Sequence, residues 1–365
     1  MSTLIDFPFV HSEFRLNRKT LNLEQLRFAA EHFVQDGEAY EVEIGKFLLD
    51  WFNKKDFIKL KTSGSTGRPK TIKVKKIHMV NSAHATAKFF DLPAKTTALL
   101  CLPANYIAGK MMLVRAMVLG WHLDTTLPRA NPLDQVYKRY DFCAMTPFQM
   151  DNSLNRLHLL KKLIVGGGTV SVHLTNIVQG IKTKIYETYG MTETVSHIAA
   201  MRINPKKSKK QVSAFKVFPD VLISQDERGC LVINAPKISD EPVVTNDVVE
   251  LLTYKKFVWK GRIDNVINSG GIKIHPEEVE KKLQKIIIQR FFITALPDPS
   301  LGEKPVLFVE QAFSEENLVT LRKKISNLKS LDRYERPKKI YFIEKFEETP
   351  TGKINRQNTL MNKVG

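Results

Sequence analysis

Apolar side chains recur at helical spacing in the first part of the chain. Two helical stretches follow one another before residue 53, and in the second the apolar positions lie three or four residues apart. Such spacing places side chains on one face of a helix. The residues of this face are Ile44, Phe47, Leu48, Trp51 and Phe52. We predict that two helices open the chain and that this face is buried in a core.

Further along, short apolar runs alternate with helical stretches. The runs at 97–102, 141–145 and 163–165 are typical of strands buried on both faces. The helical stretches lie near 77–90, 108–120, 147–160 and 172–181. This alternation predicts a parallel sheet that is covered by helices on both faces. Ligands of such sheets bind at the carboxyl ends of the strands.

The pattern changes after about residue 197. Between 215 and 232, short β runs are separated by Pro219, Asp226 and Gly229, which predicts antiparallel hairpins. From Pro276 onward we predict a small α+β unit with helices from 276 and near 315–328, and strands near 291–296, 305–310 and 339–343. The predicted fold class is α/β: a large domain of parallel-rich sheets flanked by helices, an antiparallel β portion, and a small α+β C-terminal domain.

Composition narrows the possible functions. The chain has 365 residues, 43% of them hydrophobic, which suffices for two cores. Its most apolar run, 111–121, is interrupted by Arg115, so we expect no integral membrane segment. We expect no signal peptide either, because the N-terminus carries acidic residues and has no apolar core region. The three cysteines lack metal-site spacing, which favours a reducing cytoplasm.

The net charge is +18, and the densest basic cluster is Lys206, Lys207, Lys209 and Lys210. Nucleic-acid binding is one interpretation of such a cluster, and a solvated lysine-rich surface is the other. Aromatic residues are not interleaved with the basic ones, so we expect no nucleic-acid partner. The surplus of positive charge would still attract small polyanions.

The stretch 62–70 reads TSGSTGRPK and follows a strand-like run. Its two glycines leave the backbone bare, and its hydroxyl and cationic side chains can surround a polyphosphate. An ordinary surface turn is the alternative. A P-loop is excluded because Pro69, which has no N–H, stands where the second glycine of that motif belongs. The residues that would bind phosphate are Thr62, Ser63, Gly64, Ser65, Thr66, Gly67 and Lys70.

A second polar stretch, 186–194, reads YETYGMTET. Tyr189 offers a flat ring for a base, Thr192 a hydroxyl for a phosphate and Glu193 a carboxylate for a hard cation. Mg²⁺ is commonly held by one or two carboxylates together with substrate phosphates, so a single glutamate is enough.

These two stretches, together with 261–280 (GRIDNVINSGGIKIHPEEVE) and 350–356 (PTGKINR), resemble in sequence and order the signatures of the adenylate-forming superfamily of acid–CoA ligases, luciferases and adenylation domains. The resemblance implies ATP, Mg²⁺ and coenzyme A as ligands, and a mobile C-terminal lid. It implies domains at 1–263 and 264–365, with Asp264 as the hinge. The resemblance extends over roughly residues 57–356.

The resemblance also assigns roles. Lys353, Thr192 and Glu193 would be catalytic, and Glu193 would also hold Mg²⁺. The nucleotide would be bound by the phosphate loop, by the glycine run and by the signature and ribose residues, which are Gly166, Gly167, Gly168, Thr188, Tyr189, Gly190, Asp247 and Arg262. For isolated residues the alternatives stay open: Asp247 could be a turn carboxylate, and Arg262 and Asp264 a surface charge pair.

Within the superfamily, the stretch 192–201 (TETVSHIAAM) and the hinge are most similar to the o-succinylbenzoate–CoA ligases of menaquinone biosynthesis. Tyr106, Thr194, Ser196 and His197 would line the acid pocket, although His197 could also be a core residue. The chain departs from the family by its short N-terminal portion and by Tyr106 in place of a frequent histidine. A ligase for another aryl or medium-chain acid and a non-catalytic nucleotide-binding protein are the alternatives.

Overall fold

The computed structural model describes residues 9–61, 71–205, 213–348 and 354–364. Its strands are β1 (Arg15–Leu16), β2 (Lys19–Thr20), β3 (Phe57–Lys61), β4 (Thr71–Lys75), β5 (Thr97–Leu100), β6 (His122–Thr125), β7 (Tyr140–Met145), β8 (Leu160–Val165), β9 (Lys184–Gly190), β10 (His197–Arg202), β11 (Phe215–Val217), β12 (Leu222–Gln225), β13 (Cys230–Asn234), β14 (Val243–Thr253), β15 (Lys256–Arg262), β16 (Ile267–Ser269), β17 (Ile272–Ile274), β18 (Phe291–Asp298), β19 (Gly302–Glu310) and β20 (Lys339–Ile343).

The helices are α1 (Leu23–Asp36), α2 (Ala39–Phe52), α3 (Lys76–Phe90), α4 (Ile107–Leu119), α5 (Pro147–Asn152), α6 (Val172–Ile177), α7 (Pro276–Leu283), α8 (Glu315–Ser326) and α9 (Arg356–Val364). Short 3-10 turns follow α5 and α6, so the helices expected to reach residues 160 and 181 end earlier.

The short strands β1 and β2 precede α1, so the prediction that two helices open the chain is wrong in this respect. Helices α1 and α2 follow them and pack against each other. Asn22 caps α1 by accepting a hydrogen bond from the Gln25 backbone N–H at 2.9 Å. The apolar face of α2 is buried, with Trp51 and Leu48 fully enclosed. Burial of one apolar face provides most of the stability of such helices.

One sheet of thirteen strands runs through the larger part of the molecule, in the order β12-β13-β14-β15-β11-β10-β9-β8-β7-β5-β6-β1-β2. The strands from β9 to β1 in this order are parallel, and those from β12 to β10 are antiparallel. The two halves meet where β9 pairs with β10. The α/β prediction is confirmed, and the sheet is continuous across its parallel and antiparallel halves.

Both faces of the parallel half are covered. Helices α3 and α4 contribute to one large core together with α1 and α2. Leu174 of α6 and Leu157 of a 3-10 turn belong to a second core on the opposite face. The central parallel strands β5, β7 and β8 are therefore mostly apolar, as strands buried on both faces must be.

The C-terminal strands form a sheet of their own. β17, β16, β19 and β18 lie side by side, and β20 pairs in parallel with β19. Residues from Ile267 to Phe346 form two core clusters that include no residue of the thirteen-stranded sheet. In the described part of the chain, no helix is long and apolar enough to cross a membrane.

Candidate active site

The signature stretch 186–194 runs through the carboxyl end of β9, where the parallel half of the sheet meets the antiparallel half, and into the turn that follows. The Tyr189 hydroxyl donates a hydrogen bond of 2.7 Å to Asp247 Oδ2, and Trp259 Nε1 donates one of 3.1 Å to Asp247 Oδ1. Burial and the Asp247 charge raise the pKa of Tyr189 far above its ordinary value. Tyr189 is therefore a neutral donor to a buried carboxylate.

Asp247 lies within β14 and not at a strand end. It is directly opposite Arg262 of β15, and the Arg262 guanidinium lies 3.9 Å from its carboxylate. Arg262 also donates to Asp264 Oδ2 at 2.8 Å. Burial lowers the pKa of Arg262, but Asp264 and Asp247 outweigh burial and raise it. Antiparallel pairing thus places the two residues expected to bind ribose side by side, with the expected hinge residue adjacent.

The glycine run 166–168 follows β8, next to β9. A Cβ on Gly166 would lie 2.6 Å from Thr188 Oγ1, so a side chain at this position would require the Thr188 hydroxyl to move. The Thr188 hydroxyl donates to the Val165 carbonyl at 3.1 Å. Gly167 has φ +79°, in the left-handed region that favours glycine. The run therefore lies against the signature strand, as the nucleotide-site prediction requires.

Glu187 supports the residues that follow the glycine run. Its buried carboxylate accepts a hydrogen bond from the Val170 N–H at 3.1 Å. Burial raises the pKa of Glu187 to about 7, opposed by the Val170 bond and the Lys281 charge. The Val172 N–H donates to Gln284 Oε1 at 2.7 Å. Residues 170–172 are thus held by hydrogen bonds to β9 on one side and to the end of α7 on the other.

Between β9 and β10 the chain turns sharply. Val195 has φ +64° and ψ −49°, and the Ser196 N–H bonds the Thr194 carbonyl at 2.6 Å, which defines the rare γ-turn with positive φ. The fully buried Thr194 hydroxyl bonds the Met191 and Ser196 backbone. Thr194 therefore fixes the turn, and its hydroxyl is directed to the loop's own backbone.

Thr192 and Glu193 occupy the outer side of this turn. Thr192 is half-buried and Glu193 is exposed. Among the described residues, neither side chain has a hydrogen bond or ion pair, and no group of three metal-ligating side chains occurs. Glu193 is thus a free carboxylate at the end of the signature strand, and the chemistry of this oxygen donor suits Mg²⁺.

Ser196 and His197 form a buried polar network with α3 and α4. Arg115 Nη2 donates to Ser196 Oγ at 2.7 Å and Arg115 Nε to Thr86 Oγ1 at 3.3 Å. Thr86 donates its one hydrogen to the Ser82 carbonyl. His197 Nε2, 3.1 Å from Thr86 Oγ1, must therefore be the donor of that pair. His197 Nδ1 then accepts from Ser196 Oγ at 3.4 Å.

Arg115 is a buried cation without a protein counter-ion. It is 2% exposed, and no carboxylate of the described residues forms an ion pair with it. Burial lowers its pKa to about 9, so it stays charged at neutral pH. Burial and then the Arg115 charge hold the pKa of His197 well below its ordinary value. Buried charges are normally paired, so this site suits an anionic ligand.

The sequence analysis missed Arg115, Trp259 and Asn246 as site residues. The signal for Arg115 was a cation within the apolar run 111–121, which was used only to argue against a membrane span. Trp259 carried no local signal, because its bond to Asp247 depends on strand pairing. Asn246 hydrogen-bonds Asp264, the expected hinge residue, and local sequence gave no signal for this contact.

Of the residues expected in the site, Tyr106 lies away from the others, and several more lie outside the described residues. Tyr106 precedes α4 and is 40% exposed, about 13 Å along the helix from Arg115, and no hydrogen bond between described residues joins it to Ser196 or His197. Outside the described residues lie Lys353, the cluster Lys206, Lys207, Lys209 and Lys210, and the phosphate-loop residues Thr62, Ser63, Gly64, Ser65, Thr66, Gly67 and Lys70.

The chain is similar in sequence to known proteins. The family model of the AMP-binding enzymes matches residues 60–232. A 2-succinylbenzoate–CoA ligase from Enterococcus faecalis is 24% identical over 337 residues, which cover 80% of this chain and 67% of that enzyme. This chain thus spans about two thirds of that ligase.

Solved structures give the same result. An acyl-CoA synthetase (AMP-forming)/AMP-acid ligase II-like protein from Dyadobacter fermentans is 37% identical, with a TM-score of 0.58 and coverage of 89% of this chain and 95% of that one. The O-succinylbenzoate coenzyme A synthetase from Bacillus subtilis, solved with ATP and magnesium ion, has a TM-score of 0.70 at 19% identity, with 94% and 83% covered. By its match to the Dyadobacter protein over most of both chains, this chain belongs to the AMP-binding, adenylate-forming enzyme family.

Proposed function

We propose that the protein is an ATP-dependent acid–CoA ligase whose acid carries a second carboxylate, and that this acid is o-succinylbenzoate. The observation that carries the proposal is Arg115, a buried cation without a counter-ion that bonds Ser196 in the turn after the signature strand. One carboxylate of such an acid reacts, and the other remains charged and needs a cation. The names of the relatives from Enterococcus and Bacillus support this acid.

The reaction would proceed in two steps. The reacting carboxylate attacks the α-phosphate of ATP, giving an acyl-adenylate and pyrophosphate. The thiol of coenzyme A then attacks the acyl carbon, the bond to the AMP oxygen breaks, and a thioester and AMP are released. Adenylation is needed because a free carboxylate has no good leaving group.

Residues around β9 would bind the nucleotide. Tyr189 and the run Gly166–Gly167–Gly168 would flank the adenine, while Asp247 and Arg262 would bind the ribose. Thr192 would contact the α-phosphate, with Thr188 and Gly190 shaping the strand end. Mg²⁺, held by Glu193, would neutralise phosphate charge. The undescribed loop at 62–70 would contact the phosphates, as its composition predicts.

Arg115 would act on the acid and not on the nucleotide. Its Nη2 and Nε are oriented by Ser196 and Thr86, so the guanidinium is preorganised for a carboxylate. His197 would stay neutral and would line the same pocket with Ser196. Thr194 would position both through the turn. Tyr106 would lie further along the acid channel, at the beginning of α4.

The second step would use the C-terminal domain as a mobile lid, with the boundary near Asp264. The separate cores of the C-terminal part support this division. Lys353 would neutralise charge that develops during adenylation, and rotation about Asp264 would then admit coenzyme A. The free thiols Cys101, Cys143 and Cys230 are compatible with a cytoplasmic reaction.

The test compares two acids that differ by one group. o-Succinylbenzoate and 3-benzoylpropionate share the reacting carboxylate and ketone, but only the first carries the ring carboxylate. We expect the wild type to prefer o-succinylbenzoate by ~100-fold or more in kcat/KM, because a buried group left unpaired rejects the truncated analogue. Arg115→Met should reduce this preference to about tenfold or less, and Arg115→Lys should keep part of it.

Lys110→Met is the matched control, because Lys110 is a partly buried cation of the same helix whose Nζ bonds the Ala104 carbonyl. It should keep the wild-type preference, and all variants should bind ATP normally. Equal use of the two acids by the wild type would reject the second-carboxylate site. Pyrophosphate exchange that is faster with another aryl or medium-chain acid than with o-succinylbenzoate would favour a ligase for that acid. ATP binding without exchange for any acid would indicate a non-catalytic protein.

A further inference from the structure

Asp264 receives hydrogen bonds from two side chains of the large sheet. Asn246 Nδ2 lies 3.1 Å from Asp264 Oδ1 and 3.2 Å from Oδ2. Arg262 Nη2 lies 2.8 Å from Oδ2. Asn246 belongs to β14 and Arg262 ends β15. Both anchors therefore belong to the thirteen-stranded sheet, whereas Asp264 begins the passage to the C-terminal sheet.

The orientation of the Asn246 amide follows from its neighbours. Arg228 Nη1 lies 3.1 Å from Asn246 Oδ1, and an arginine can only donate, whereas an ionised Asp264 can only accept. The amide oxygen must therefore face Arg228 and the amide nitrogen must face Asp264. Arg228 is held in turn by Asp226 and by the Thr245 carbonyl.

The charge state of Asp264 strengthens these bonds. The Arg262 bond lowers the pKa of Asp264, burial opposes this, and the Asn246 bond lowers it further. Asp264 is thus a carboxylate at neutral pH, and hydrogen bonds to an ionised acceptor are stronger than neutral ones. A rotation of the backbone at residue 264 would move this carboxylate away from Asn246, because the amide is fixed to the rigid sheet.

We propose that Asn246, oriented by Arg228, is a positioning residue that holds Asp264 in one of the two lid orientations and so sets the balance between them. The proposal rests on the proposed function, in which Asp264 is the hinge. Other contacts support the same orientation: Lys260 lies 3.2 Å from Glu278 of α7, and Gln284 accepts from Val172. Asn246 differs from them because it acts on the hinge residue itself.

Two substitutions test the contact in different ways. Asn246→Gly removes the amide. Asn246→Asp keeps its size but places a carboxylate against Asp264, which adds repulsion. Asn234→Asp is the control: it adds the same charge to neighbouring strand β13, where Asn234 is exposed and has no side-chain hydrogen bond within the described ranges.

The first measurement is a distance between the domains. Spin labels can be attached to cysteines replacing Asp151 of α5 and Lys324 of α8, both exposed, because the three native cysteines are buried. We expect Asn246→Asp to shift the distance distribution away from that of the wild type, Asn246→Gly to shift it less, and Asn234→Asp to leave it unchanged. Distributions of both Asn246 variants that coincide with the wild type would reject the proposal.

The second measurement follows the two half-reactions separately, as acid-dependent pyrophosphate exchange and as thioester formation from synthetic acyl-adenylate. We expect the ratio of the two rates to change by about threefold or more in Asn246→Asp, because a shift in populations favours one step over the other. An equal loss in both steps would overturn the positioning role. If the wild type shows no acid-dependent exchange, the proposed ligase function is rejected. The distance measurement would still test the positioning role of Asn246.

Discussion

At the scale of single residues, the candidate site depends on charged groups with unusual burial. Arg115 and Glu187 are both enclosed, yet neither has an oppositely charged partner within ion-pair distance in the described part of the chain. Arg115 bonds hydroxyl groups, and Glu187 bonds a backbone N–H. Groups with strongly shifted pKa values cluster at functional sites. Here Glu187 belongs to the signature strand, and Arg115 contacts Ser196 in the turn that follows it.

Glu187 should make stability depend on pH. Its folded-state pKa of about 7 exceeds the ordinary 4.5, so the folded protein binds its proton more tightly than the unfolded chain. The resulting stabilisation is complete below about pH 4.5 and is lost as pH rises through about 7. Between pH 5 and 8, the free energy of unfolding should therefore fall by about 2 kcal/mol more in the wild type than in Glu187→Gln.

Denaturant unfolding at each pH measures this difference. Glu280, whose pKa burial also raises to about 7, is present in both proteins and cancels in the comparison. Parallel pH profiles for wild type and Glu187→Gln would show that Glu187 ionises normally in the folded state.

At the scale of elements, the turn between β9 and β10 leaves no room for a side chain at Gly190. A Cβ there would overlap the Ser196 carbonyl oxygen and the His197 Cα, and both are backbone atoms that cannot move separately from the strand. At Gly168 the nearest atom to such a Cβ is a Pro147 ring carbon at 3.8 Å, which is an ordinary contact. Of these two positions, only Gly190 therefore needs glycine for steric reasons.

Gly190→Ala should consequently displace Ser196 and lower both stability and acid-dependent exchange. We expect a loss of roughly 2 kcal/mol or more in the free energy of unfolding, as for other substitutions that force backbone shifts. Gly168→Ala should change stability by about 0.5 kcal/mol or less. Thermal unfolding of the two variants provides the comparison, and equal stability would mean that the turn can relax.

The sequence predicted most of the helices, the central parallel strands β5, β7 and β8, and the C-terminal α+β unit, because these depend on local periodicity. It placed Tyr189, Asp247 and Arg262 in one site only through the resemblance. Their contacts depend on the register of β14 with β15, which local patterns do not specify. The role of Arg115 depends on what faces α4, and the bond of Asn246 depends on a side chain 18 positions away.

At the scale of the whole molecule, the net charge of +18 should assist the binding of anionic substrates. Long-range attraction raises association rates and is screened by salt. Raising KCl from about 20 mM to about 300 mM should therefore lower kcat/KM for coenzyme A by roughly three- to tenfold. Pantetheine, which carries the same thiol without the phosphates, is the matched control and should show little change. Equal salt effects on both thiols would exclude electrostatic attraction as the cause.

The position of β9 in the sheet has a mechanical consequence. It is the seventh of thirteen strands, with six strands bonded in sequence on either side. If the sheet is treated as an elastic plate of hydrogen-bonded strands, its edge strands bend and lose pairing most easily, and its middle strand is the stiffest. On this picture we expect thermal bending to displace the backbone least at Tyr189 and Gly190, whereas β15, which leads into the proposed hinge, lies three strands closer to a border. The proposed nucleotide site thus lies at the middle of the sheet, and the proposed lid is attached nearer to its border.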